Sequence, residues 1–203
     1  MGTPGDDVLV AVEAHLAATY GAHGGDVVRA GVSFLGLDRI DVLRFGPDPA
    51  GAVRYATVGM SRRPMTAAEA AVADPEHGPR AELVLTLRGA RDSVLRPLAV
   101  LAASPAVDGL VLAPGGTVEL GEPLWAGARC TAVLIEASTE PPAETGGRTV
   151  ELLRVVPVTP AELAHRRVHG AGALRDAWRR AGTDLTDPDR PSVRLPPVRP
   201  SAP

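Results

Sequence analysis

Two arginines in tandem, Arg62 and Arg63, sit in a segment bounded by Gly59 and Pro64. A pair of guanidinium groups can grip a carboxylate or a phosphate through parallel N–H donors. The plainer alternative is a solvated loop whose charges meet only water. The same segment holds Gly59-Met60-Ser61, and Gly31-Val32-Ser33 repeats the Gly-x-Ser pattern. A nucleophilic serine on a tight elbow needs a further glycine two residues on. Arg63 and Leu35 occupy those positions, so neither serine is expected to catalyse. Ala113-Pro114-Gly115-Gly116-Thr117 lacks the lysine of a phosphate loop and reads as a hairpin turn. His165 and His169 share one helical face, but Arg166 stands where a zinc-protease helix carries glutamate, and Arg167 adds positive charge. His15, His23 and His77 have no partner at ligand spacing. Asp187 and Asp189 fall among prolines, where nothing holds an acid/base pair in place. No catalytic residue, metal ligand or cofactor is expected.

The elements that must position these residues are short. The chain has 203 residues, enough for one domain with its own core. Hydrophobic residues make up 45% but aromatics only 3%, so the core must rest on Leu, Val and Ala. Trp125, in a Gly/Pro-bounded loop, is either a core plug or an apolar hot spot for a partner. The net charge of −3 argues against nucleic acid and anionic lipid. All 21 basic side chains are arginine, as GC-rich coding favours. The one cysteine, Cys130, lies in an apolar run and reads as a buried, inert thiol; a lone cysteine excludes an intrachain disulfide or a cysteine zinc site. The acidic N-terminus has no apolar signal region, and the longest apolar stretch is too short to cross a bilayer. A cytoplasmic location is the expectation.

Val8, Val12, Leu16 and Tyr20 repeat at helical spacing, with Asp6 and Asp7 as expected N-caps. Strands are expected at 27–34, 39–45 and 53–58, then at 82–88, 110–112, 117–120, 129–136 and 150–158. A second helix is expected from Asp92 or Ser93 to about Ala103, and a short one near 66–72 within a loop. Thr159-Pro160-Ala161-Glu162 is a capping box with proline at the first helical position, and Gly182 should end the helix it opens. From Asp187 on, six prolines predict an extended, poorly packed tail. Strands and helices do not alternate one to one. The fold class is therefore α+β, with a mixed, largely antiparallel β-sheet and packed helices.

The order of several segments resembles the Suppressor of fused domain family. They are RYATVGMS (54–61), AELVLTLR (81–88), RPLAVL (96–101), GEPLW (121–125) and LLRVVPVTPAEL (152–163). The resemblance runs from about Leu16 to Leu185, giving one domain over 1–185 and a proline-rich tail over 186–203. It implies a mixed sheet with helices on it and function by binding. Animal members hold Hedgehog-pathway transcription factors, whose peptide adds as a strand in a groove between two domains. This chain is similar to the amino-terminal domain alone, and Arg62-Arg63-Pro64 replaces the Asp-Leu-Tyr of the animal loop. Bacterial members are proposed to be immunity proteins that neutralise toxins.

The resemblance thus implies a non-enzymatic domain with a protein partner, a toxin domain or a peptide strand. Its candidate binding residues are Gly59, Met60, Ser61, Arg62, Arg63, Pro64 and Trp125. The alternatives are a module that binds a small anion through Arg62 and Arg63, or an enzyme of unrecognised mechanism.

Overall fold

The computed structural model describes residues 5–21, 27–33, 38–67 and 78–195. Eight strands among them form one sheet: β1 (Val28–Val32), β2 (Ile40–Phe45), β3 (Ala52–Val58), β4 (Arg80–Arg88), β5 (Thr117–Glu119), β6 (Ala132–Ala137), β7 (Ala143–Thr145) and β8 (Arg148–Val158). The order is β1-β2-β3-β4-β8-β6-β5, with β7 on β8. Only the β4–β8 pairing is parallel, with Val84 opposite Arg154; the others are antiparallel. The expected α+β class with a mixed, largely antiparallel sheet is what the chain adopts.

Three helices cover the two faces: α1 (Asp6–Tyr20), α2 (Leu95–Asp108) and α3 (Pro160–Ala181). Adjacent strand residues point to opposite faces. Val42, Leu83, Leu85, Val133 and Val155 pack under α2 with Leu98, Leu101 and Ala102. Leu43, Phe45, Ala56, Val84 and Leu152 pack under the α1 stripe of Val8, Val12, Leu16 and Tyr20. Ala132, Leu134, Val156 and Val158 meet Leu163, Leu174 and Trp178 of α3. Both faces of β2 are buried: Ile40 and Val42 serve one core, Leu43 and Phe45 the other.

Several local expectations need correction. The N-cap of α1 is Gly5, in a left-handed conformation and without a side-chain cap bond; Asp6 and Asp7 lie inside the first turn, where they favour the helix dipole. Helix α2 runs past Ala103, through Pro105, to Asp108. Pro105 cannot donate to the Leu101 carbonyl, and the Ser104 hydroxyl donates to it instead at 2.7 Å. Residues 110–112 form no strand, and 143–145, outside the expected strands, form β7. The Thr159 capping box is present as expected, while α3 breaks at Gly170, whose φ is 84°. Thr66 and Ala67 are not helical, and the rest of the short helix expected at 66–72 lies outside the described residues.

The expected loose tail is packed as far as Leu195. Arg190 is 4% exposed, Val193 is 7% exposed, and Val193 joins the α3 cluster. The Arg190 guanidinium donates to both carboxylate oxygens of Glu162, at 2.7 and 2.9 Å. Trp178 Nε1 and the Val193 N–H, both at 3.0 Å, also donate to Glu162. The capping carboxylate of α3 is therefore also the fastener for the following segment. Burial pushes the Glu162 carboxyl up, but Arg190 and the N–H groups of Thr159 and Val193 outweigh it and hold it below the usual range.

Candidate functional site

The loop from Gly59 to Pro64 leaves the end of β3 through a backbone that only glycine adopts readily. Gly59 has φ 140°, and a Cβ there would lie 2.9 Å from the Arg39 carbonyl oxygen. Met60–Arg62 make a single 3-10 turn. Beneath it, Glu82 of β4 is fully buried. Its Oε1 accepts from the Gly59 N–H at 2.8 Å, the Ser61 N–H at 3.0 Å and the Ser61 hydroxyl at 2.7 Å. Its Oε2 accepts from the Thr57 hydroxyl at 2.6 Å, and that hydroxyl accepts from the Leu83 N–H. Arg80, also on β4, donates to the carbonyls of Ser61 and Arg62 at 2.8 Å each. Burial, and then the neighbouring Arg148, lower the Arg80 pKa.

This arrangement decides what the loop can do. Its N–H groups form a concavity that would suit an anion, but the Glu82 carboxylate fills it. Ser61 is buried beneath the loop and bonded to a carboxylate, with no route to a substrate. Arg62 pairs with Asp6 at the start of α1 and lies 3.8 Å from Asp38. Arg63 pairs with Asp38 at 3.1 Å while its side chain stays 74% exposed. The tandem guanidiniums are thus neutralised by two carboxylates brought from outside the loop.

The outer surface of the loop borders a cleft of about 340 Å³. Gly59, Met60, Arg62, Arg63 and Pro64 line one side, with Asp38 and Ile40. Ala102, Ala103, Pro105 and Ala106, from the second half of α2, form the apolar wall opposite. The structure therefore gathers five of the seven sequence candidates in one cleft. Ser61 sits directly behind it, and Trp125 does not reach it. Trp125 is 3% exposed and belongs to the core under α2, which is the plug reading of the sequence.

Sequence reasoning missed Asp38, Glu82, Arg80 and the α2 wall. Glu82 did carry a signal, as a lone carboxylate in a strand otherwise buried along its length. Such a group must be satisfied internally.

The other chemical candidates stay apart. His165 and His169 have ring centroids 4.5 Å apart, and His165 is buried with Nδ1 unpartnered among the described residues. Burial first, then His169 and Arg180, push its pKa down. No group of three or more His, Cys, Asp or Glu able to hold a metal occurs among the described residues. Burial raises the Cys130 thiol to about 11, so it stays protonated at neutral pH.

Comparison with known proteins follows the same outline. Residues 36–191 match the family model described as Suppressor of fused protein (SUFU). No curated protein matches the chain in sequence. The crystal structure of a Suppressor of fused homologue from Neisseria gonorrhoeae FA 1090 is similar, with a TM-score of 0.73 and 18% identity over 95% of this chain and 100% of that one. A chain of the Sufu–Fu complex is similar at a TM-score of 0.67 and 16% identity, over 91% of each chain. Drosophila Suppressor of Fused is similar at 0.65 and 17%, over 94% of this chain, which spans 51% of the Drosophila one.

Proposed function

Because the chain belongs to the Suppressor of fused family, we propose that it acts by holding a protein partner at the loop–α2 cleft, without turnover. One observation carries this reading. The cleft joins an apolar wall of α2 to an exposed Arg63 on a loop that Glu82 and Arg80 hold from below. A held loop costs little further ordering on binding, which favours affinity. A relative seen in a complex, Sufu with Fu, supports partner binding as the mode of action. The finer reading is an immunity role in a bacterial cytoplasm, with a toxin domain as the partner. No described helix is long and apolar enough to cross a membrane.

The anion-binding alternative loses its basis, since Asp6 and Asp38 already neutralise Arg62 and Arg63. A serine-based enzyme loses its nucleophile to burial.

Affinity capture from native lysate, with Arg63→Glu and Ala106→Asp run beside the wild type, tests the reading. Both positions face solvent at the cleft, so both variants should fold. A stoichiometric protein retained by the wild type and lost from both variants supports the cleft, and toxicity of that protein alone supports the immunity role. A partner retained by both variants moves the interface elsewhere. Elution of no partner under any growth condition removes the proposal.

A further inference from the structure

The sheet face opposite α2 carries two cores, one under α1 and one under α3, and a polar gap lies between them. Leu152 of β8 belongs to the α1 core and Val156 to the α3 core. Arg154 stands between them on the same face of β8. Arg54 of β3 and Thr86 of β4 are register partners on that face too. These three floor a pocket of about 210 Å³, walled by Tyr20 at the end of α1, Glu140 between β6 and β7, and Leu185 beyond α3. The walls are tied down: the Pro141 carbonyl lies 3.0 Å from His15 Nε2, and the Thr186 carbonyl accepts from the Arg88 N–H at 2.7 Å. Three groups around the pocket have bonding capacity left. Arg154 is exposed, with no ion pair or hydrogen bond among the described residues, because Glu136 opposite it on β6 is taken by Arg175 at 2.8 Å. Glu140 accepts the hydroxyls of Ser138 and Thr139 through Oε2, and no cation pairs with it among the described residues. Tyr20 is 7% exposed, yet its hydroxyl has no hydrogen-bond partner among the described residues. Burial first, then Glu140, raise its pKa to about 12, so it stays a neutral phenol. Arg54, by contrast, is already paired with Asp48 at 2.9 Å.

We propose that this pocket binds a small amino acid zwitterion, with its carboxylate on the Arg154 guanidinium and its ammonium on the Glu140 carboxylate. One unpaired positive group and one unpaired negative group border the same pocket without meeting each other. A simple anion or a simple cation satisfies only one of them, whereas a ligand carrying both charges satisfies both. The guanidinium offers parallel N–H donors to a carboxylate, and both pairs are charge-assisted. Thr86 adds a hydroxyl on the floor beside Arg154, and the Tyr20 hydroxyl can accept a second ammonium proton. The pocket is smaller than the roughly 300–1,000 Å³ that holds a drug-sized ligand, so it takes few heavy atoms and excludes a nucleotide or a peptide. Few atoms also mean modest affinity. The pocket opens on the Val84 face of β4, and the loop–α2 cleft lies on the Leu83 face, so the two sites are independent.

Calorimetric titration of the full chain with glycine, alanine, β-alanine and γ-aminobutyrate, beside acetate and ethylammonium, tests this. The four zwitterions step the distance between the two charges, and the best of them measures the span from Arg154 to Glu140. At least one should bind with a Kd below about 10 mM, and acetate and ethylammonium should bind at least about tenfold more weakly. Arg154→Gln and Glu140→Gln should each weaken that zwitterion about tenfold or more. Tyr20→Phe, which keeps the ring in the α1 core, should weaken it several-fold. Arg154 is exposed, so Arg154→Gln should leave the urea midpoint unchanged, and its loss of binding is then not a loss of fold. No binding of any zwitterion up to about 20 mM overturns the proposal. So does binding indifferent to Arg154→Gln or to Glu140→Gln, and so does acetate or ethylammonium binding as tightly as the best zwitterion. Arg154→Gln does not touch the cleft, so failure here and failure of the partner reading show in different variants.

Discussion

Arg190→Met should destabilise the protein far more than a change at the exposed Arg194. The guanidinium is 4% exposed, and its carboxylate partner Glu162 is fully buried. Replacement removes both bonds to Glu162 and the 2.7 Å bond to the Pro157 carbonyl. It also removes the cation 5.7 Å over the Trp178 ring. The carboxylate keeps three donors, Thr159 N–H, Trp178 Nε1 and Val193 N–H, but no counter-charge. Removing one partner of a buried pair costs about 3–5 kcal/mol. For a chain of this size each kcal/mol moves Tm by about 2–4 °C, so a fall of about 10 °C is expected. Urea unfolding followed by circular dichroism measures it directly, with Arg194→Met, at an exposed position, as the control expected within about 0.5 kcal/mol. The double variant Glu162→Met, Arg190→Met should recover part of the loss, because no uncompensated charge remains. If Arg190→Met lies within about 0.5 kcal/mol of wild type, the segment after Thr186 is not fastened as described, and the reasoning fails.

Other expectations follow from the same buried groups. Glu82→Gln keeps the shape but halves the acceptors for Thr57, Gly59 and Ser61; it should lower stability by about 2 kcal/mol, as a fall in urea midpoint at constant slope. A change under about 0.5 kcal/mol would show that the loop is held by other contacts. The depressed Glu162 gives stability that is complete above its unfolded value of about 4.3 and is lost as pH falls through the lower folded value. The depressed His165 behaves alike one step higher: its contribution is complete above about 6.5 and fades as pH falls through the folded value. Thermal melts from pH 8 to 5 should show that loss in the wild type but not in His165→Gln, and identical profiles would remove His165 as the cause.

Patterns with a local cause were legible. The Thr159 capping box needs only four residues to specify a helix start, and the structure forms both of its bonds. The 82–88 run and the α1 stripe show their periods in isolation, as the sheet and helix they build confirm. What stayed hidden depends on partners distant in sequence. Asp6 neutralises Arg62 across 56 residues of chain, and Asp38 neutralises Arg63 across 25. Nothing local told a packed strap from a loose tail after Asp187, because Arg190 finds Glu162 28 residues back. Helix α2 outran its expected end because a single serine stands in for the bond that Pro105 cannot make.

Two buried glutamates therefore organise the molecule, and they limit what it can recognise. Each sits where free backbone N–H groups would otherwise invite an outside anion: Glu82 beneath the Gly59 turn, Glu162 at the start of α3. An internal carboxylate in such a place has already taken the charge-assisted bonds that a ligand would need, and displacing it would leave a charge buried and unpaired. Recognition by oxyanion capture at either turn is thus opposed by several kcal/mol of lost internal bonding. What remains available is surface of another kind: the alanine wall of the cleft, the exposed Arg63 and the outward valines of α2. Apolar area with a few charges at its edge is the composition of a protein–protein contact. A partner that depends on shape and apolar burial should bind with weak salt dependence, because the exposed charges are few and lie at the rim. Steep loss of a captured partner between low and moderate salt would point back to an electrostatic grip and against this reading.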